Sequence, residues 1–363
     1  MSVLIFIIAI VALIVVHEFG HFIAAKLSGM RVDEFGLGYP PRALTIAKIG
    51  ETEYTLNWLP FGGFVKIYGE DGDAEGSRSF SARPRILQAL VLVAGVTMNL
   101  LFAYVLITGA LVAGTPRALS GNELASARNQ ELMVTDVLPG TPAARAGLLP
   151  GDSIVGASDS VGKWQAVDPK SFSAFVDSSN GRAITITLKH DDGTQGTVTA
   201  TPEAGIVPSE PARFALGVGI ATVGVVPLSL GAAVAEGASL TWGTLVLTAE
   251  GLWHFFYGIF TFSANLSQVS GPIGIASAVG SASAQGFGAL LSIIAIISIN
   301  LALINLIPVP ALDGGRLLFV LIEGVIRRPI KPSIARTVNA VGFVFLVLLM
   351  IVVTAHDIFK LVG

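Results

Sequence analysis

The chain contains no cysteine and very little charge. None of its 363 residues is Cys and only 13% are Asp, Glu, Lys or Arg, about half the roughly 25% of an average soluble protein. The first absence excludes a disulfide scaffold, an iron–sulfur cluster, a thiolate zinc finger and a cysteine nucleophile. Any metal must therefore be held by His, Asp or Glu. The second excludes a disordered chain, an ordinary soluble enzyme and a nucleic-acid binder driven by basic charge. With 22 Lys+Arg against 25 Asp+Glu the net charge is −3, too small to steer a nucleic acid toward the protein. What fills the chain instead is apolar: 52% of residues are hydrophobic.

A bilayer crossing takes about 20 mostly apolar residues. Four runs qualify: Val3–Ala25, Ile86–Ala113, Phe287–Leu306 and Thr337–Ala355. The first is not a signal peptide, because it lacks a positive leader and a small-x-small cleavage site. A fifth run, Leu228–Phe262, carries Glu236, Glu250 and His254 and clusters Trp242, Trp253, Phe255, Phe256 and Tyr257. It reads as a helix lying on the membrane or beside the bundle. Lys and Arg crowd the loops between spans one and two and between spans three and four, and only Lys360 follows the fourth span. By the positive-inside rule both termini, and the long segment between spans two and three, face away from the cytoplasm.

That long segment changes character. Charge, Ser and Thr return, Ala183–Leu188 and Thr197–Thr199 alternate as strands do, and Asp191-Asp192-Gly193 reads as a turn. Between spans one and two, Ala43–Lys48 and Thr52–Trp58 read as strands around Gly50, with Pro60–Tyr68 as a third extended run.

His17-Glu18-Phe19-Gly20-His21 carries the chemistry. On a helix, residues i and i+4 share a face, so both imidazoles reach one zinc and Glu18 stands beside a water as general base. Three ionisable groups within an apolar span, at about 2.5–3.5 kcal/mol for a charged residue, demand partners. A catalytic zinc takes three protein ligands and keeps one position open. His190 lies in the extracytoplasmic insert and His356 at the far end of the fourth span. Asp313 is the strongest third candidate, with His254 a weaker alternative. Asp313 follows a run broken by Pro308 and Pro310 and precedes Gly314-Gly315, and irregular backbone at membrane depth occurs only where it is buried or lines a cavity. His17 lies about 21 Å into the first span at 1.5 Å per residue. Asp313 reaches a similar depth only if Leu228–Phe262 does not cross. Zinc and a four-span count therefore support each other.

The stretch from Val134 to Val155, with Pro142-Ala143-Ala144-Arg145-Ala146-Gly147-Leu148 and Gly151-Asp152-Ser153-Ile154 inside it, resembles the PDZ domains of bacterial envelope proteases. Such domains bind extended peptides at a sheet edge. HExxH in a first span, Asn305–Arg316 (NLIPVPALDGGR) in a later one, Pro60–Glu70 between them and one PDZ insert together resemble the site-2 protease family, in its bacterial PDZ-containing branch, over nearly the whole chain. The resemblance implies an intramembrane zinc metalloprotease with one Zn²⁺ per chain, cleaving single-pass membrane proteins in or near their transmembrane segment. It implies His17, His21 and Asp313 as ligands and Glu18 as general base. It implies Asn305, and more weakly Asn300, as holders of the substrate backbone, and Gly62 and Gly63 as part of a membrane-embedded β-loop that pairs with unwound substrate. Ser270–Ala276 matches a further family stretch, to which no role is assigned. Family analogy also implies a cytoplasmic (inner) membrane location, substrates trimmed beforehand by another protease, and a PDZ domain that shuts out bulky ectodomains. Relatives with two tandem PDZ domains differ from this chain, which has room for one.

The expected fold is a mainly α membrane protein: a four-helix core, a membrane-embedded β-loop and one inserted PDZ domain. The expected divisions are a first span at 1–27, the β-loop at 28–85, a second span at 86–114 and the PDZ domain at 115–205. An amphipathic segment at 206–286, a third span with its broken end at 287–325, a basic loop at 326–336 and a fourth span at 337–360 complete it. Two rivals remain in view. A PDZ-containing adaptor with a structural zinc would need four protein ligands, and a zinc transporter would need ligands at several depths. The other prominent polar side chains in the spans, Asn99 and Asn300, are not typical of zinc.

Overall fold

A computed structural model describes residues 2–362 apart from 71–75, 120, 122, 126, 191–192, 262–269 and 329. Asp191 and Asp192 of the expected turn, and Phe262 at the end of the aromatic run, lie outside the described residues. In chain order the elements are α1 (Ser2–Leu27), β1 (Val32–Ile49), β2 (Thr52–Ile67), α2 (Arg85–Ala113), β3 (Pro116–Ala118), β4 (Arg128–Val137), α3 (Pro142–Ala146), β5 (Ser153–Ser158), β6 (Lys163–Trp164), α4 (Pro169–Ser178), β7 (Ile184–Lys189), β8 (Gln195–Ala200), β9 (Val218–Val225), α5 (Leu230–Phe260), α6 (Pro272–Gln285), α7 (Phe287–Leu306), α8 (Asp313–Ile326) and α9 (Pro332–Val362). They form two compact units, one of residues 1–110 and 230–363 and the other Leu111–Ser229.

The first unit is built on helices, because a chain in hydrocarbon must satisfy every backbone N–H and C=O within itself. Among the described residues five helices are long and apolar enough to cross a membrane: the four expected, and α5 as well. The mean hydropathy of α5 is 1.3, against 2.4–2.7 for the others. Its charged and aromatic residues lower the value, and it runs as one unbroken helix of 31 residues.

The loop between α1 and α2 is a hairpin whose two arms, β1 and β2, are longer than the strands expected. The Pro60–Tyr68 stretch, expected as a third extended run, is extended as the far part of β2 as far as Ile67. Both arms bend. Glu34–Leu37 pairs with Glu53–Leu56 and also with Gly63–Lys66. Buried polar side chains clamp the bends: Thr52 Oγ1 donates to Val32 O at 2.7 Å, Thr55 Oγ1 to Glu34 Oε1 at 2.6 Å and Asn57 Nδ2 to Gly38 O at 3.1 Å. Polar groups this deep persist because each has a partner, and these glycines and polar residues are what made the run look broken in sequence. The root of the hairpin (Val32, Ile67) joins Ala24, Ala25, Met30, Val91, Leu92 and Val320 in one apolar cluster. This seats β2 against α1.

The second unit is built on an antiparallel seven-stranded sheet in the order β3-β9-β4-β5-β7-β8, with β6 on β5. Its core includes Leu132, Val134, Ile154, Phe172, Val176, Ile184, Ile186 and Leu188. The sequence reading closes this domain at 205, whereas the sheet takes in β9, and the unit runs to Ser229. The Pro- and Gly-rich stretch before β9 hides that return strand. The two ends of the unit meet, since Pro116 pairs with Val225 and Leu228 N donates to Leu111 O at 2.9 Å.

Phe172 is 1% exposed, and its ring meets Trp164 edge-on at 4.9 Å. Truncating Phe172 to Ala is expected to destabilise this unit by about 3–5 kcal/mol. Protease cleavage within Leu111–Ser229 in rising urea measures it, and an unchanged midpoint would remove Phe172 from the core's essential contacts.

Candidate metal centre

His17, Glu18 and His21 sit on one flank of α1, and α1 meets α2 at unusually close range. A Cβ on Gly20 would stand 2.4 Å from Ala94 O, so only glycine permits this approach, the usual device where helices pack in a membrane. On α2 the residues facing the histidines are Val91, Gly95 and Asn99, spaced four apart like the histidines themselves. Val91 O accepts from His21 Nδ1 at 2.8 Å. Asn99 places Nδ2 3.2 Å from His17 Nδ1. Gly95 leaves open the space where a Cβ would lie 2.4 Å from His21 Nε2 and 2.8 Å from His17 Nε2.

Asp313 arrives from the other side. After α7 ends at Leu306 the chain turns sharply and restarts as α8 with Asp313 as its first residue. An acid in a first turn is favoured by the helix dipole. The turn is tight because Gly314 and Gly315 follow: a Cβ on Gly314 would be 2.3 Å from Ile307 O, and one on Gly315 2.4 Å from Val309 O. Asn339 of α9 accepts from Ala311 N at 3.3 Å, and Arg316 pairs with Glu70. These contacts hold the broken stretch from α9 and from the end of the hairpin.

The three ligand atoms converge. His17 Nε2 lies 2.9 Å and His21 Nε2 3.1 Å from Asp313 Oδ2, and the two nitrogens are 3.1 Å apart. Tetrahedral zinc with bonds of about 2.0–2.1 Å separates its ligand atoms by about 3.3 Å, so a few tenths of an ångström of spreading admits the ion. The donor set also fits. His21 Nδ1 faces a carbonyl, which only accepts, so that nitrogen carries the proton and Nε2 offers its lone pair. Both histidines are buried and Asp313 is half-buried. Among the described residues His17, His21 and Asp313 form the one cluster of three metal-ligating side chains.

A cavity of 490 Å³ opens onto this point, lined by His17, Glu18, Tyr39, Gly62, Gly63, Asn305 and Asp313 among others. The Cβ position of Gly63 is 3.6 Å from Glu18 Cγ, which puts the hairpin edge directly beside the carboxylate. Asn300 is not brought there. Its Nδ2 donates to Ile296 O one turn back, at 2.9 Å. His254 lies on α5 and His190 in the second unit. Neither joins the cluster.

Sequence reasoning missed the α2 stripe. The available signal is a glycine and an asparagine four residues apart inside an apolar run, matching the spacing of the histidines. It also assigned nothing to Ser270–Ala276, which holds the start of α6. Gly271, at the helix N-cap, has no side chain to cap with. Buried Asp357 of α9 accepts from Gly271 N at 3.1 Å and Gly274 N at 2.8 Å instead. This anchors α6 where it packs on α1 and α7.

Gly95→Ala is expected to cut bound zinc per chain to under about a tenth, since the added methyl overlaps the ligand nitrogens themselves. Metal analysis of purified protein checks this, and full occupancy would show that the helices separate without cost.

Comparison with known proteins agrees with this chemistry. Peptidase family M50 matches residues 5–349. A provisionally named zinc metalloprotease of Clostridium perfringens is 34% identical, covering 96% of this chain and 95% of its own length. Another so named, from Nostoc, is 35% identical over 95% and 93%. The zinc metalloprotease RasP of Oceanobacillus iheyensis is 28% identical over 99% of both chains. With a family match over almost its entire length, zinc as the family's metal and helices of membrane-spanning length, the chain belongs to peptidase family M50, the site-2 proteases.

Proposed function

We propose that this protein hydrolyses peptide bonds within or near the transmembrane segment of single-pass membrane proteins. The observation that carries the reading is the shared cavity: His17, Glu18, Asp313, Asn305 and the Gly62-Gly63 edge open onto one 490 Å³ space beside helices of membrane length. His17, His21 and Asp313 hold zinc. The bound ion supplies Lewis acidity, polarising a carbonyl and making water acidic near neutral pH.

The chain's own groups do the rest. A helical substrate hides its amides and must unwind to be cut. The edge Gly62–Ile67 offers backbone N–H and C=O to the unwound segment, as in strand addition, and the absence of side chains at Gly62 and Gly63 lets that segment lie close to Glu18. Asn305 donates and accepts through its amide to the substrate backbone from the α7 side. Glu18 takes the proton of the attacking water and passes it to the departing amine. Unit Leu111–Ser229 is a PDZ domain, whose cleft of 390 Å³ between α4 and β9 is lined by Phe172, Val176, Phe214 and Ile220. It faces away from the cytoplasm and admits substrates already trimmed by another protease. The protein sits in a bacterial cytoplasmic membrane with both termini outside, four spans crossing and α5 along the bundle. Among the described residues the adaptor alternative finds no fourth ligand in the cluster of the kind a structural zinc takes, and it leaves Glu18 in the cavity without a task.

Two outcomes are expected with a membrane-spanning reporter and purified protein in detergent. Glu18→Gln keeps one zinc per chain and loses cleavage by about 10²–10⁴-fold; undiminished cutting by this variant would sink the general-base assignment. Asp313→Ala loses zinc and activity together, and a chelator does the same to wild type, reversed by added zinc. Retention of a full zinc by Asp313→Ala would remove it from the ligand set.

A further inference from the structure

Asn99 occupies a place that the ligand set leaves unexplained. It is completely buried in α2. Its backbone carbonyl accepts from Ser298 Oγ of α7 at 2.8 Å, so the residue is held between two helices. Its amide stands against His17 Nδ1, on the side of the ring opposite Nε2. Its Oδ1 is buried without a partner. A buried acceptor in that condition is costly to leave unpaired.

The chemistry of a neutral imidazole supplies the missing partner. The ring has one N–H. If Nε2 gives its lone pair to zinc, the proton sits on Nδ1 and needs an acceptor. His21 meets this need through Val91 O. Next to His17 Nδ1 stands the Asn99 amide, whose two ends have the same shape and exchange places on a half-turn about χ2. With Nδ2 toward the ring, Nδ1 must accept and Nε2 keeps the proton, which excludes metal from Nε2. With Oδ1 toward the ring, Nδ1 donates and Nε2 is free to coordinate.

We propose that Asn99 is a positioning residue of the zinc site: its Oδ1 accepts from His17 Nδ1–H and thereby fixes the tautomer that presents Nε2 to the metal. This rests on the reading that zinc is held by His17, His21 and Asp313. On this account α2 sets both histidines by different means, a backbone carbonyl for His21 and a side-chain amide for His17, with Gly95 between them. The protein can dispense with a side chain at the first of these positions and not at the last.

The test uses the full-length protein in detergent and reads zinc affinity by chelator competition, so it does not depend on proteolysis. Asn99→Leu keeps the size and removes the acceptor; it is expected to weaken zinc binding about 10–100-fold, the usual loss for such a partner. Asn99→Asp keeps an acceptor and is expected to restore binding to within a fewfold of wild type. A merely structural asparagine would lower the melting temperature of the metal-free protein in both variants and leave zinc affinity alone. Wild-type affinity in Asn99→Leu, or equal loss in both variants, overturns the proposal.

If Asn99→Leu does not fold, ¹H,¹⁵N-histidine spectra of the zinc-loaded wild type and of Asn99→Asp decide instead. A His17 Nδ1 proton shifted downfield by a hydrogen-bond acceptor, and shifted further when Asn99→Asp makes that acceptor a carboxylate, supports the proposal; an Nδ1 proton that does not respond to the change overturns it. His17→Ala separates the two levels. Zinc retained in that variant defeats the ligand assignment itself, whereas zinc lost there but retained in Asn99→Leu defeats only the role of Asn99.

Discussion

The structure turns on how closely α1 and α2 approach. Two imidazoles on an apolar helix cannot be left to lipid. They are satisfied by a second helix brought near enough to hydrogen-bond them from its own backbone and from one side chain. That distance exists only because Gly20 faces Ala94 and Gly95 faces the rings. In a membrane no hydrophobic force draws one apolar helix to another, so contact depends on packing and on hydrogen bonds between helices. Here the two coincide. The glycines that permit contact stand in the same turns as the groups that use it, so the packing of the bundle and the preorganisation of the site are one arrangement.

The same constraint explains why the third ligand comes from a break. A carboxylate on the flank of a continuous α7 would be one more charge facing lipid or a neighbouring helix. Ending α7 at Leu306 and restarting at Asp313 places the acid at a helix N-terminus, among positive N–H ends, and lets it point back at α1. The irregular backbone between is tolerable because protein covers it: Gly342 of α9 packs against Pro310, and Asn339 binds Ala311. The hairpin then closes the remaining side. Its edge can lie against α1 because Gly63 has no side chain, and the cavity is what remains between hairpin, α1 and the broken helix.

Much of this was legible in the sequence, for physical reasons. HExxH in an apolar run stands out because ionisable groups there are costly, and Asp313 because prolines and glycines rarely interrupt such a run without covering contacts. Four of the five long apolar helices follow from hydropathy alone. The rest was hidden where one residue's meaning depends on another segment. Pro60–Tyr68 looks independent until its pairing with Glu34–Leu37 is known. β9 looks like linker because its partners β3 and β4 lie far back in the chain. Gly95 has no chemistry of its own, and its role exists only against His17 and His21. Asp357 reads as an ordinary polar end of a span, yet it caps a helix more than eighty residues away.

Asn99 shows how far composition can mislead about a site. Judged as a ligand it is a poor one, and its amide in an apolar helix looks like a packing compromise. Judged by what a ligand needs, it is well chosen. An aspartate there would add a further negative charge within the membrane, beside Asp313 and Glu18. A serine or threonine would be drawn to its own helix carbonyl four residues back, as Thr97 is to Val93. Asparagine is neutral, reaches across to α1 and offers an acceptor without choosing a protonation state. In a medium where each added charge costs several kcal/mol, a neutral side chain that selects a tautomer achieves by geometry what a soluble zinc site more often achieves with a second carboxylate.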